Sequence, residues 1–194
     1  MSQTAILCGE RRLTYAQLLG AVRKFGGALK SLGVEAGERV AIVSADCPEF
    51  VAAFLGTSAV GSVAVPASTM STPSELEYVL AHSGARAAVV TSEQLDKLRL
   101  VRSRLPRLET ILLVGDAPSA ASSSDDAGEG TLSFDEALDG LLSFDEVLDG
   151  ASETEVEDVE DDAPAFILYT SGSTGRPKGA THVHRNLPYT VETY

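Results

Sequence analysis

The sequence contains no tryptophan, only two cysteines and no long run of apolar residues. No stretch reaches the roughly eighteen consecutive apolar residues that a membrane-spanning helix needs. The N-terminus also lacks the basic region and apolar run of a signal peptide. Cys8 and Cys47 form neither a metal-ligand spacing nor a disulfide framework. Because such isolated thiols are typical of a reducing compartment, we expect a cytoplasmic protein.

Lysine and arginine are absent from residues 125–162, a segment that holds sixteen of the 28 acidic residues. The net charge of −13 therefore comes from this segment, and the rest of the chain is slightly basic. The segment could bind calcium or a basic partner, but it lacks the alternating Asp/Asn pattern and central glycine of a calcium loop. A solvated linker is the favoured interpretation. The sequence has no basic face with interleaved aromatic residues, so nothing in it favours nucleic-acid binding.

Short apolar strands alternate with amphipathic helices along residues 1–117. Thr14 has the character of a helix cap, and Thr72-Pro73-Ser74-Glu75 forms a capping box with proline at the first helical position. Further helices are predicted from Pro48 and from about Glu93 to Arg104. Strands are predicted over 39–43, 63–65, 87–90 and 111–114. This order predicts an α/β fold with a mostly parallel sheet covered by helices on both faces.

Residues 118–162 are predicted to form an acidic, flexible insertion that carries an internal duplication. The nine residues 132–140 recur as 142–150 with eight identities, and each copy has the pattern of a short capped helix. Two copies are too few for a repeat architecture, which needs about three or more larger units. We therefore interpret the repeat as a local duplication in a tolerant surface loop, in which one copy can dock Phe134 and Leu138 on the core.

The most informative motif is residues 169–179, Tyr-Thr-Ser-Gly-Ser-Thr-Gly-Arg-Pro-Lys-Gly, directly after the apolar stretch 165–168. The stretch predicts a buried strand, so the loop is expected at the carboxyl edge of the sheet, where ligands bind in open α/β folds. Glycines let the backbone approach a phosphate, hydroxyl and N–H groups donate to its oxygens, and Lys178 supplies a positive charge. The motif predicts a nucleotide-phosphate loop.

The motif is not a Walker A loop, which needs serine or threonine directly after its lysine. Gly179 occupies that position, so the hydroxyl that would bind magnesium is missing. A P-loop NTPase is therefore disfavoured.

The eleven residues instead resemble the signature loop of the adenylate-forming superfamily, which includes acyl-CoA synthetases, peptide-synthetase adenylation domains and luciferases. The similarity extends to Leu13-Thr14-Tyr15, to residues 37–42 and to Pro48-Glu49-Phe50. Residues 179–194 are most similar to the benzoate-CoA ligase branch. The resemblance thus identifies the chain as the truncated N-terminal part of the superfamily's large domain, with residues 163–194 forming a strand, the phosphate loop and the start of a helix.

The resemblance implies ATP, Mg²⁺ and coenzyme A as co-substrates or cofactors, and benzoate or a related aromatic acid as the carboxylate. The β- and γ-phosphates of ATP would be wrapped by loop residues, and Lys178 would stabilise the charge on the departing pyrophosphate. No metal-ligating residue is assigned, and Arg176 is expected to face solvent. The implied cofactor-binding residues are Thr170, Ser171, Gly172, Ser173, Thr174, Gly175 and Lys178.

The family's later motifs, including the hinge and the adenylation lysine, do not occur in these 194 residues. We therefore expect this polypeptide alone to be inactive. Two alternatives stay open: an adenylating enzyme that loads a carrier protein, and a non-catalytic module that binds nucleotide or a partner. Substrate identity, oligomeric state and the role of the duplication are left open.

His182 and His184 are predicted to have structural or substrate-proximal packing roles, and a catalytic role is disfavoured for His82. His182 and His184 alternate, so both could face one side of an extended segment, but two histidines alone seldom form a metal site. His82 is expected at a helix end, where a partial positive charge suits the helix dipole.

Overall fold

The computed structural model describes residues 3–116, 138–170 and 175–193, without the side chain of Val191. The helices are α1 (Tyr15–Ser31), α2 (Pro48–Ala59), α3 (Pro73–Ser83), α4 (Leu95–Arg99), α5 (Phe144–Gly150) and α6 (Asn186–Thr193). The strands are β1 (Thr4–Cys8), β2 (Arg11–Thr14), β3 (Arg39–Val43), β4 (Val63–Pro66), β5 (Ala87–Thr91), β6 (Thr110–Val114), β7 (Leu141–Ser143), β8 (Pro164–Thr170) and β9 (Lys178–Val183). None of the helices in these ranges is long and apolar enough to cross a membrane.

Seven strands form one sheet in the order β7-β6-β5-β3-β4-β8-β9, and β1 pairs with β2 in a separate hairpin. Neighbouring strands from β7 to β8 are parallel, whereas β9 runs antiparallel to β8. The predicted α/β fold with a mostly parallel, helix-covered sheet is confirmed.

The sheet buries both of its faces, as the apolar strands predict. Val40 and Ile42 of β3 point into a core that includes Phe25 of α1 and Ala53 of α2. Their neighbours along the strand, Ala41 and Val43, belong to a second core, which includes Leu76 and Leu80 of α3. Helices α1, α2 and α5 therefore cover one face, and α3 and α4 cover the other.

Helix boundaries follow the capping signals closely. Thr14 and Thr72 each cap a helix through a complete capping box, with Gln17 and Glu75 as the reciprocal partners. The helix predicted from Glu93 to Arg104 is wrong in extent, because only Leu95–Arg99 is α-helical and short 3₁₀ turns flank it.

The prediction of a solvated acidic linker up to residue 162 is also wrong for its second half. Strand β7 and helix α5 lie there, and β7 pairs with β6 as an edge strand of the main sheet. Phe144 of the second repeat copy is 1% exposed and stacks on Phe25, with ring centroids 5.5 Å apart. Leu138, from the first copy, is also buried, whereas Phe134 lies outside the described residues. The second copy is therefore part of the core.

Residues 151–157, the acidic strap, lie against α1 and α2. The Thr154 amide donates to the Arg23 carbonyl at 3.2 Å, and the Glu157 amide donates to the Ala59 carbonyl at 2.8 Å. Lys30 forms an ion pair with Glu157, which neutralises charge on both elements. The acidic segment thus has a basic partner within its own chain.

Gly27 of α1 allows the acidic strap to approach, because a Cβ there would lie 1.9 Å from the Ser152 carbonyl oxygen. We expect Gly27→Ala to lower the free energy of unfolding by about 1–3 kcal/mol through this overlap. Gly20→Ala in the same helix is the matched control. Its Cβ would lie 3.6 Å from a flexible Glu153 side chain, so helix propensity should stabilise it by up to about 1 kcal/mol. Urea unfolding that shows equal stability for the two variants would contradict this role.

Candidate functional site

The candidate site lies where the chain reverses the direction in which it adds strands to the sheet. Strand β3 is followed by α2 on one face, whereas its neighbour β4 is followed by α3 on the other face. Such a reversal opens a crevice at the carboxyl ends of the strands, which is the usual ligand site of open α/β sheets. Strand β8 lies beside β4, so its carboxyl end reaches the same edge.

The predicted phosphate loop connects β8 to β9 at this edge. Thr170 is the last residue of β8, Lys178 is the first residue of β9, and the two residues are partners across the antiparallel hairpin. Both are exposed, so the hydroxyl and the ammonium group are accessible to a ligand at this edge of the sheet. Gly175 has φ +146°, a backbone conformation that favours glycine. The other four predicted loop residues, Ser171, Gly172, Ser173 and Thr174, lie outside the described residues.

Two sequence expectations for this region are wrong. Only Ala165 of β8 is buried, and Leu168 is 39% exposed, so the strand is not the buried one that its composition predicts. The chain after the loop forms β9 before α6 begins, whereas a helix alone was expected there. The sequence of β9 has no clear apolar alternation, which is why no strand could be predicted.

Gly179 has a packing role next to Lys178. A Cβ at this position would lie 2.9 Å from Ile167 Cγ2 and 3.2 Å from Tyr169 Cζ. The missing side chain therefore leaves room for the Tyr169 ring directly across the hairpin, where the two residues are register partners. The glycine that distinguishes this motif from a Walker A loop is explained by this contact.

Tyr169 links the hairpin to α3. Its hydroxyl and His82 Nδ1 share a hydrogen bond of 2.8 Å, and the His82 ring stacks on Tyr78 with centroids 5.2 Å apart. Burial raises the pKa of the Tyr169 phenol above its ordinary value, with a smaller contribution from Tyr78, so the phenol stays protonated at neutral pH. His82 lies in the last turn of α3, as predicted, but its contact with Tyr169 could not be seen in the sequence.

Arg176 contacts the same cluster of rings through Tyr78. Its guanidinium carbon is 5.5 Å from the centroid of the Tyr78 ring, a cation–π contact. The side chain is exposed, as expected, but it also has a partner in the protein.

A groove of about 360 Å³ lies beside Tyr169 at the carboxyl end of β4. Its lining comes from the β4–α3 connection, α3 and the two ends of the hairpin loop: Pro66, Ala67, Ser68, Met70, Ser71, Glu75, Val79, Tyr169 and Pro177. Glu75 is the one carboxylate in this lining. Hydrogen bonds from the Thr72 amide and hydroxyl lower its pKa, so its charge serves the helix cap. A lowered pKa keeps this carboxylate ionised at neutral pH, so the lining of the groove contains one negative charge.

The described residues contain no group of three or more His, Cys, Asp or Glu side chains that could hold a metal ion. His182 instead stacks on Phe166, with centroids 4.5 Å apart and the rings nearly parallel. The Phe166 ring in turn packs against the Phe54 ring of α2, with ring centroids 5.4 Å apart. The expected packing role of His182 agrees with these contacts. Cys47 caps α2 by accepting a hydrogen bond from the Phe50 amide.

Comparison with known proteins agrees with this geometry. The family model described as AMP-binding enzyme matches residues 1–194. A 3-hydroxybenzoate–CoA/4-hydroxybenzoate–CoA ligase of Thauera aromatica is 35% identical over 186 residues, which are 95% of this chain and 32% of the relative. A fatty acid–[acyl-carrier-protein] ligase, ScoC, of Streptomyces coeruleorubidus is 30% identical over 94% of this chain and 30% of its own length.

The crystal structure of the anthranilate CoA ligase AuaEII in complex with anthranoyl-AMP superimposes with a TM-score of 0.85 and 31% identity. The match covers 99% of this chain and 34% of that one. The chain thus spans about a third of the length of the relatives that it matches.

Proposed function

Because this chain belongs to the AMP-binding enzyme family, we propose that its protein activates a carboxylic acid with ATP and transfers the acyl group to coenzyme A. A carboxylate oxygen attacks the α-phosphorus of ATP, the bond to the β-phosphate oxygen breaks, and acyl-adenylate and pyrophosphate form. The coenzyme A thiol, after losing its proton, then attacks the acyl carbon and AMP leaves. Mg²⁺ would enter with ATP and would neutralise phosphate charge.

The observation that carries the proposal is a pair of exposed polar side chains at the end of the β8–β9 hairpin. Thr170 and Lys178 are exposed partners at the carboxyl edge of the sheet, the edge at which the groove beside β4 and Tyr169 lies. There, the Lys178 ammonium group would stabilise the negative charge that develops on pyrophosphate, and the hydroxyl of Thr170 would donate to a phosphate oxygen. Gly175 would let the loop backbone approach the phosphates, together with Ser171, Gly172, Ser173 and Thr174.

We propose benzoate or a related aromatic acid as the substrate. This choice is supported by the hydroxybenzoate ligase among the relatives and by the anthranilate ligase among the similar structures. The carrier-protein ligase at 30% identity favours a second candidate, in which the acyl group passes to the thiol of a carrier protein. The two candidates share the first half-reaction and differ only in the thiol.

The test uses protein expressed from the complete open reading frame, with ATP, a panel of aromatic and aliphatic acids, and either coenzyme A or a phosphopantetheinyl carrier. We expect an aryl-CoA thioester in the presence of ATP, and no thioester with residues 1–194 alone. Acyl transfer to the carrier but not to coenzyme A would replace the proposal with the second candidate. Thioester formation by residues 1–194 would contradict the expected inactivity of this segment.

A further inference from the structure

Four side chains form a continuous line of contacts from α3 to the end of the hairpin. Arg176 lies over Tyr78, Tyr78 stacks on His82, and His82 is hydrogen-bonded to Tyr169. The His82 and Tyr169 rings also meet edge to face, with centroids 5.8 Å apart. We name this line the α3 clamp.

The α3 clamp holds both ends of the phosphate loop. Tyr169 directly precedes Thr170 at the end of β8, and Arg176 lies two residues before Lys178 at the start of β9. Tyr169 also packs across the hairpin on Gly179, the residue after Lys178. The position of Lys178 relative to the sheet edge therefore depends on where α3 holds Tyr169.

We propose that His82 is a positioning residue for the binding of nucleotide phosphates, acting through Tyr169 on Thr170 and Lys178. The inference rests on the proposed function in taking the phosphates of ATP as the ligand of the hairpin end. His82 is assigned no contact with phosphate and would act only through its contact with Tyr169. Its hydrogen bond reduces the conformational freedom that the hairpin end must lose when ATP binds, so the benefit is a lower entropic cost of binding.

Exposure makes this role testable by substitution. His82 is exposed on the last turn of α3, so replacing it should leave the core of that face intact. His82→Leu removes the hydrogen-bonding nitrogen while keeping an apolar body, and Tyr169→Phe removes only the hydroxyl. His82→Asn places a polar group close to the position of Nδ1 and should restore the hydrogen bond.

The first measurement is the KM for MgATP in acid-dependent ATP–pyrophosphate exchange, with protein from the complete open reading frame. We expect His82→Leu and Tyr169→Phe each to raise this KM about threefold to tenfold, the factor for one ordinary hydrogen bond. The double variant should be no worse than either single one, because both changes break the same bond. His82→Asn should return the KM to within about twofold of wild type, and the KM for the acid should not change.

Tyr15→Phe, an exposed hydroxyl on α1, is the matched control and should leave both KM values unchanged. A purely structural role would lower the melting temperature and the amount of active protein, but it would not raise the KM for MgATP selectively. An unchanged KM for MgATP in His82→Leu and Tyr169→Phe would overturn the proposal.

Amide hydrogen exchange of residues 178–183 without nucleotide separates this inference from the proposed function. We expect exchange there to be about fivefold faster in His82→Leu and Tyr169→Phe than in wild type. If wild type shows no ATP–pyrophosphate exchange, the proposed function fails, and the amide hydrogen exchange alone tests whether the α3 clamp restrains β9. Equal rates of amide hydrogen exchange in wild type and in both variants would overturn the clamp.

Discussion

Replacing Lys178 with alanine is expected to lower acid-dependent ATP–pyrophosphate exchange by about 10²–10³-fold, the range for removing one preorganised group at developing charge. Lys178 is exposed and begins β9, so its side chain contributes little to the core. The loss should therefore appear in the rate constant, with the melting temperature close to that of wild type. The physical reason is that pyrophosphate leaves with more negative charge on its oxygens than ATP carries there before the reaction.

Two variants define the specificity of this effect. Lys178→Arg keeps the positive charge but presents a planar fork instead of a compact ammonium group, so we expect intermediate activity. Lys24→Ala removes the same charge from α1, on the sheet face opposite α3, and should retain full activity. Full exchange activity in Lys178→Ala would remove the assignment of Lys178 to pyrophosphate.

Replacing Phe144 with alanine is expected to lower the free energy of unfolding by about 3–5 kcal/mol. The side chain is fully enclosed between the sheet and α1, and it stacks on Phe25. Truncation would leave a cavity next to an aromatic ring that has lost its neighbour. Urea unfolding followed by circular dichroism gives the difference directly.

Leu142→Ala is the matched control from the same repeat copy, because Leu142 on β7 is 38% exposed. We expect it to cost less than about 1 kcal/mol. The sequence offers Phe134 of the first copy as a substitute for Phe144. If Phe144→Ala lowers the free energy of unfolding by less than about 1 kcal/mol, Phe134 of the first copy can replace Phe144 in the core. The two copies would then be interchangeable.

The parallel core of the sheet could be predicted because its strands are continuous apolar runs. Strands such as Arg39–Val43 and Ala87–Thr91 are buried on both faces, so composition alone indicates their position. The start of α3 was equally clear, since Thr72 and Glu75 satisfy each other's backbone groups within four residues. These signals are local, which is why a single sequence contains them.

The edges of the sheet could not be predicted for the opposite reason. Strand β7 has three residues, and β9 is largely exposed, so neither has an apolar pattern of its own. Each becomes a strand by pairing with a neighbour that is distant in sequence or by closing a hairpin. The acidic strap is similar, because its partners on α1 are more than a hundred residues away.

The same distinction between local and long-range signals applies to the candidate site. The motif alone predicts Lys178 and the glycines of the loop as site residues, since phosphate binding needs those residue types in a short segment. The α3 clamp could not, because His82 and Tyr169 are 87 residues apart and meet only when α3 packs beside β8.

Carboxylate-dependent exchange of labelled pyrophosphate into ATP tests the central claim most directly. The protein would come from the complete open reading frame, with wild type and Lys178→Ala assayed side by side without any thiol. We predict exchange in wild type that requires an aromatic acid and is about 10²–10³-fold slower in Lys178→Ala. Absence of exchange with every acid in the panel, or ATP turnover that is independent of acid, would contradict the assignment of this hairpin to adenylate formation.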